Sequence, residues 1–461
     1  MPTMEPHLMH VELDTPNADA TKAAFEPSAS KAAWFALWVL VAVVVLRWVD
    51  QVVLVIGTEP MRKSLGLSDT QLGSIQGIGM TLAVAFGSLP IAWLADRFDR
   101  RWVLGFCILF WSAATAARGF AHDFAQVMFS TVGMSFAEAG LYPIAYAIIP
   151  ALFHGKQRTV ANLVFYAGGS LGYSAAMILG GWIFQALDAH ASALIHTESW
   201  RTASFVVGAI GPLLALLVLL IQRTAGERAD AGGAENSIKE GEFGPYMKAH
   251  WRSLAGVFGG VAFGTAAFAP VLVWLPPAAS RIYGVAAGEV GSQIGAVFLA
   301  ATLSGLAIAW LLNRFMSERL GDLLSVRTAP GLSVMGAIAF AALGFAHTLQ
   351  FVYVAAFFCL MPVVAFASLL PSIYQGIAPK ALLVRVNAIA AAVGIGASAS
   401  GPMLVGYFSD RMQGHPDALL LSIAALGLPL MLLCGLAMSW STENVRRTLN
   451  SIHAQERLTA R

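Results

Sequence analysis

The feature that most restricts this chain is a succession of apolar runs, each long enough to cross a lipid bilayer. The hydrocarbon core is about 30 Å thick, so a helix rising about 1.5 Å per residue needs roughly 20 largely apolar residues. Such runs lie near 33–57, 71–94, 102–120, 125–152, 159–186 and 201–222. Six more lie near 251–276, 287–312, 327–346, 349–375, 382–409 and 417–441. Hydrophobic residues make up 57% of the 461 and charged residues only 12%, too few to cover the surface of a soluble protein this large. Soluble enzymes and nucleic-acid binders are therefore excluded, and a net charge of +2 offers nothing to a polyanion. Cys107, Cys359 and Cys434 all fall inside apolar runs, a pattern of neither a disulfide framework nor a metal site. The sequence predicts an all-α membrane protein of twelve transmembrane helices.

Charge sets the orientation. With both termini inside, cytoplasmic segments hold 21 of the 28 Lys and Arg, outer loops hold 6, and Arg47 lies within the first span. The positive-inside rule then places both termini in the cytoplasm. The first thirty residues are polar and acidic, with no apolar core beside a cleavage site, and read as a tail rather than a signal peptide. The longest polar interruption divides the spans six and six. The expected organisation is a cytoplasmic tail at 1–32, a bundle at 33–222, a cytoplasmic linker at 223–250, a second bundle at 251–441 and a cytoplasmic tail at 442–461. IAWLADRF at 91–98 recurs as IAWLLNRF at 308–315, six of eight positions matching at the end of the second span of each half. Parallel repeats of this kind build one large class of transporter.

Several motifs carry a resemblance. The segment Asp96 to Arg101 is similar to the signature loop of the major facilitator superfamily. EPMRKSLGLSDTQLG at 59–73, FAEAGLYP at 136–143, WLPPAASRIYGVAAGEVG at 274–291 and GPMLVGYFSD at 401–410 resemble bacterial relatives of its spinster-like branch. These matches occur in both halves and cover nearly all the spans. The resemblance implies a transporter with a substrate site between two six-helix bundles. It also implies that Asp96, with Arg97, Arg100 and Arg101, forms a cytoplasmic gate that latches the halves; for Arg100 and Arg101, fixing the topology is the simpler role. The chain departs from the branch pattern in span one, where relatives carry Asn and then Asp-Arg and this sequence has Arg47, Asp50 and Gln51. It also has Thr131 where relatives carry an Arg two turns before the span-four glutamate.

An ionisable residue at mid-membrane costs at least about 2.5–3.5 kcal/mol and marks a functional candidate. Arg47, Asp50 and Glu138 meet that description. Arg47 and Asp50 are three apart and share a helix face, so they are expected to pair. Glu138 sits between small residues, Ala137, Ala139 and Gly140, with no basic residue on its own span, and is the expected proton carrier. The plainer alternatives are a static pair that orients span one and a protonated Glu138 that only bonds a neighbouring helix. Gln51, Thr131, Tyr142, Tyr166, Trp274 and Tyr374 are candidate cavity residues. Gly169, Gly172, Gly401 and Pro402 are candidate close-packing positions.

No nucleotide-binding loop of the GxxxxGKS/T type occurs, so a proton gradient is the expected energy source. A charged first half facing an apolar, aromatic second half suits an amphipathic or lipid-like organic solute. Uptake of a small organic anion, such as an aromatic carboxylate steered by Arg47, is the alternative, and a non-transporting membrane sensor is the rival class. A membrane enzyme is disfavoured because no HExxH or paired-carboxylate motif falls within a span. The expected partners are a small-molecule substrate, protons and the lipid bilayer of a bacterial inner membrane. The chain is expected to act as a monomer without cofactor or metal.

Overall fold

A computed structural model describes residues 30–194, 198–221, 243–379, 382–412 and 414–459. The expected N-terminal tail up to residue 29, and linker residues 223–242, lie outside these. The described residues form helices without strands. In chain order they are α1 (Lys31–Ile56), α2 (Thr58–Leu65), α3 (Asp69–Ser74), a π-helical turn (Ile75–Gly79), α4 (Met80–Arg97), α5 (Arg100–Arg118), α6 (Phe124–Glu138), α7 (Leu141–Leu152), α8 (Gly155–Leu194) and α9 (Ser199–Leu219). The second set is α10 (Phe243–Ala249), α11 (Trp251–Tyr283), α12 (Ala287–Leu320), a 3₁₀ turn (Gly321–Leu323), α13 (Leu324–Leu343), α14 (Leu349–Ile377), α15 (Leu383–Arg411) and α16 (Ala418–Thr459).

Among the described residues, ten helical stretches are long and apolar enough to cross a membrane. The pair Gln157–Gly169 and Leu171–Ala189, bent by 44° within α8, makes up to eleven. The bend falls among Gly168, Gly169 and Gly172, where missing side chains leave the helix easy to deform. The sequence predicts twelve spans; the remaining candidate is α5, whose terminal Arg100, Arg101 and Arg118 dilute an otherwise apolar stretch of 19 residues.

Helix boundaries follow local chemistry. Ser68 and Gln71 form a reciprocal capping box at the start of α3. Asp99, Asp123 and Thr348 accept N–H bonds at the starts of α5, α6 and α14. The fourth apolar run breaks at Ala139–Gly140, ahead of Pro143, which lacks the N–H that would continue the ladder. Glu138 is therefore the last residue of α6.

Helices α1 and α4 to α9 pack on one another, as do α11 to α16. The two groups meet mainly where α8 crosses α12 and where α3 and the π turn cross α15. Both crossings are made by glycines at close backbone approach. A methyl at Gly181 or Gly288 would strike the opposing backbone of α12 or α8, and one at Gly73 or Gly77 would strike the carbonyls of Pro402 or Ala399. Residues 442–459, expected as a tail, continue α16 as helix. Thr448 there bonds both Ser253 and His250, whose imidazole is held below its ordinary pKa by burial.

Candidate functional site

Four ionisable side chains meet inside the first helical group. Arg47 on α1 pairs with Glu138, Nε to Oε2 at 3.3 Å. Asp50, one turn further along α1, pairs with Arg118 on α5, Oδ1 to Nη2 at 2.8 Å, and accepts a hydrogen bond from Thr115. The expected Arg47–Asp50 pair is therefore replaced by two pairs that each reach to another helix. The reason is geometric. A shared face on α1 lets both side chains point inward, and each then finds a full opposite charge across the bundle. Asp50 and Arg118 have side-chain exposures of 0% and 1%, so neither charge reaches bulk solvent. Two fully buried charges of opposite sign are tolerable only as a bonded pair. Arg118 also donates to Ser204 on α9 and lies 3.7 Å from the sulfur of Met134.

Glu138 differs from Asp50 in one respect. Its side chain is equally hidden, yet only one carboxylate oxygen has a partner; Oε1 has none among the described residues. It also faces the negative end of the α6 dipole, so its charge depends on Arg47. Arg47 in turn is partly exposed and lies over two aromatic rings, Trp48 at 4.6 Å and Tyr142 at 5.8 Å. Tyr142, Tyr146 and Phe165 continue that aromatic cluster, and Tyr166 is largely exposed beside it.

In the second group a cavity of about 660 Å³ is lined by α11, α14 and α15, with Thr265, Tyr374, Asn387 and Ser398 as its polar groups. Trp274 is not among its lining residues. It is fully buried and donates its indole N–H to the carbonyl of Pro402 at 2.8 Å. Its place is in the packing between α11 and α15, contrary to the expectation from sequence, because a buried indole must find an acceptor and the backbone at Pro402 supplies one. Thr131 is likewise fully buried, between helices of the first group. Gln51 is partly buried, and its side-chain oxygen has no partner among the described residues. Gly172 lets Trp48 approach α8, Gly401 lets α15 approach Pro270, and Gly169 makes ordinary contact with Tyr142.

The loop around Asp96 makes these contacts within its own half. Arg97 stacks on Trp93, Arg100 donates to the carbonyl of Ala147, and Arg101 pairs with Asp99 and donates to the carbonyl of Ile221. At the opposite end the halves are joined. Arg281 on α11 bonds Asp69 through two nitrogens at 2.8 Å each and Glu59 at 2.9 Å. Asp410 on α15 accepts from the backbone N–H groups of Asp69 and Thr70 at 3.0 and 2.8 Å, capping α3, while Ser409 donates to Asp69. Tyr173 adds a bond to the carbonyl of Leu272 and stacks on Phe298. Three of the stretches singled out by resemblance, 59–73, 274–291 and 401–410, thus meet in one clasp.

Sequence reasoning missed Arg118 and the clasp. Arg118 lies at the end of its apolar run and reads as an interfacial residue. The available signal was Thr115 one turn earlier, which puts two polar groups on the same face of α5.

Comparison with known proteins places this arrangement. The sequence profile of the Major Facilitator Superfamily matches residues 39–402. The chain is 30% identical over 287 residues to a protein of Mycolicibacterium smegmatis named MFS-type efflux pump, covering 62% of this chain and 64% of that one. It is 24% identical over 322 residues to protein spinster of Drosophila melanogaster, covering 67% and 50%. The chain thus matches about half to two-thirds of the length of these relatives. Its fold matches that of a bacterial homolog to the human lysosomal transporter Spinster, in an inward-facing and unoccupied conformation, with a TM-score of 0.76, 21% identity and coverage of 92% of this chain and 99% of that one. With a profile match over most of its length, apolar helices and the same fold, the chain belongs to the major facilitator superfamily.

Proposed function

We propose that the protein is a proton-coupled secondary transporter of an amphipathic organic solute, working by alternating access in a bacterial inner membrane. In this reading α5 and the bent α8 complete twelve spans. Residues 33–222 and 251–441 are two six-helix bundles, and both termini are cytoplasmic. The clasp of Arg281, Glu59, Asp69 and Asp410 then closes the outer end, and the Asp96 loop lies inside.

The observation that carries the reading is Glu138: a buried carboxylate with one oxygen on Arg47 and the other without a partner among the described residues. Protonation of Glu138 neutralises it and releases Arg47, whose guanidinium is the partly exposed member of the pair. An anionic head group competes for that guanidinium, while the aromatic rings of Trp48 and Tyr142 and the apolar wall of α11, α14 and α15 take a greasy body. Solute and proton thus act on the same ion pair, and that shared pair couples their movements.

The test is proton movement in sealed liposomes containing the purified protein, with amphipathic solutes and aromatic carboxylates added one at a time. Solute-dependent acidification or alkalinisation of the lumen is expected, its sign separating symport from antiport. Solute that crosses without any proton flux would make the protein a facilitator and overturn the coupling.

A further inference from the structure

We propose that the first bundle holds bound water between its two ion pairs, in a site formed by Thr131, Ser135, Glu138 and Arg118. The site stands on geometry independent of the transport reading. Thr131, Met134, Ser135 and Glu138 follow the i, i+3, i+4, i+7 spacing that aligns side chains on one helix face, and all four are buried. Arg118 fixes the direction of that face, because its Nη1 lies 3.7 Å from the sulfur of Met134 while its Nη2 holds Asp50. Three atoms along the stripe have no hydrogen-bond partner among the described residues: Thr131 Oγ1, Ser135 Oγ and Glu138 Oε1.

Each such atom, left dry, carries the desolvation cost of a buried polar group. A guanidinium has five N–H donors, and the bonds to Asp50 and Ser204 and the contact with Met134 engage only part of that capacity. Two hydroxyls that donate or accept, one carboxylate oxygen that accepts and one guanidinium that donates are a complementary set for water. A buried water ordinarily makes about three hydrogen bonds, which this set supplies. Through it the Arg47–Glu138 and Asp50–Arg118 pairs belong to one network, and Asp50 and Arg118 already lie within Coulombic reach of Glu138. Asp50 and Arg118 thereby sense the state of Glu138 without touching it.

Met134 makes the site testable. Ionising X-rays split bound water into hydroxyl radicals where the water sits, and a thioether in contact with it is oxidised to the sulfoxide. Met177 and Met438 are as fully buried as Met134 and serve as dry references. Pulsed radiolysis of the purified protein, read by peptide mass spectrometry, is expected to oxidise Met134 roughly tenfold faster than either reference, since buried water supplies radicals locally. The double variant Thr131→Val, Ser135→Ala keeps the shape but removes both hydroxyls, and should bring Met134 down to the reference rate. Labelling of native Met134 no faster than Met177 and Met438 would overturn the proposal, as would native-like labelling in the double variant. Should the variant misfold, Met177 and Met438 would label faster too, and the native comparison decides alone. No transport is measured, so the outcome is independent of whether the solute reading holds.

Discussion

Replacing Asp50 by Ala is expected to destabilise the protein more than any other single truncation within the first bundle. The substitution leaves the Arg118 guanidinium, 1% exposed, without its carboxylate. Removing one member of a buried pair costs about 3–5 kcal/mol, mostly from the uncompensated charge that remains. Ser204 and the sulfur of Met134 are neutral and cannot take over that role. Loss of the Thr115 bond adds a smaller amount. Asp50→Ala should therefore lower the apparent unfolding midpoint in detergent by many degrees. The double variant Asp50→Leu, Arg118→Met, which removes both charges and keeps the volume, should recover most of that loss. A double variant no more stable than Asp50→Ala would show that the pair is not the source of the effect.

Arg281→Ala is expected to shift the protein away from the conformation described here. Arg281 is the side chain through which the second half holds both Glu59 and Asp69, and those carboxylates are 3% and 6% exposed. The guanidinium is 23% exposed, so solvent screens part of its contribution. Loss of its charge-assisted bonds should cost the clasped state about 2–3 kcal/mol, or roughly 30- to 150-fold in the equilibrium between clasped and open forms. Asp410 still caps α3 in the variant, which keeps the clasp from vanishing altogether. Spin labels at Lys63 and Phe345, both exposed, would report the change as a longer distance population in pulsed dipolar spectroscopy. An unchanged distance distribution would mean that the helix crossings, not the ions, hold this end shut. The three native cysteines are buried and leave the labelling selective.

What could be read from the sequence depended on how local the signal was. Span length is a property of one continuous stretch, so most apolar runs were legible, while α5, flanked by arginines, and the bent α8 depart from the expectation. The ion pairs were not legible in the same way. Spacing put Arg47 and Asp50 on one face of α1 but said nothing of what α5 and α6 present to that face, and Arg118 is 68 residues from Asp50. Trp274 was misplaced for the same reason: whether an indole meets solute or a carbonyl depends on a helix 128 residues away. The clasp was visible only as separate motifs. Residues 59–73, 274–291 and 401–410 show their common purpose once the chain is folded, because a bridge between halves has no sequence spacing of its own.

In the proposed mechanism Glu138 carries the proton while the solute is held by other groups. Glu138→Gln separates the two, since the amide fills the same space but carries no charge to protonate. In liposomes the variant should lose solute accumulation driven by a proton gradient yet retain solute exchange at equal pH on both sides. Gradient-driven accumulation at the native rate in Glu138→Gln would show that another group carries the proton and leave Glu138 as a structural residue.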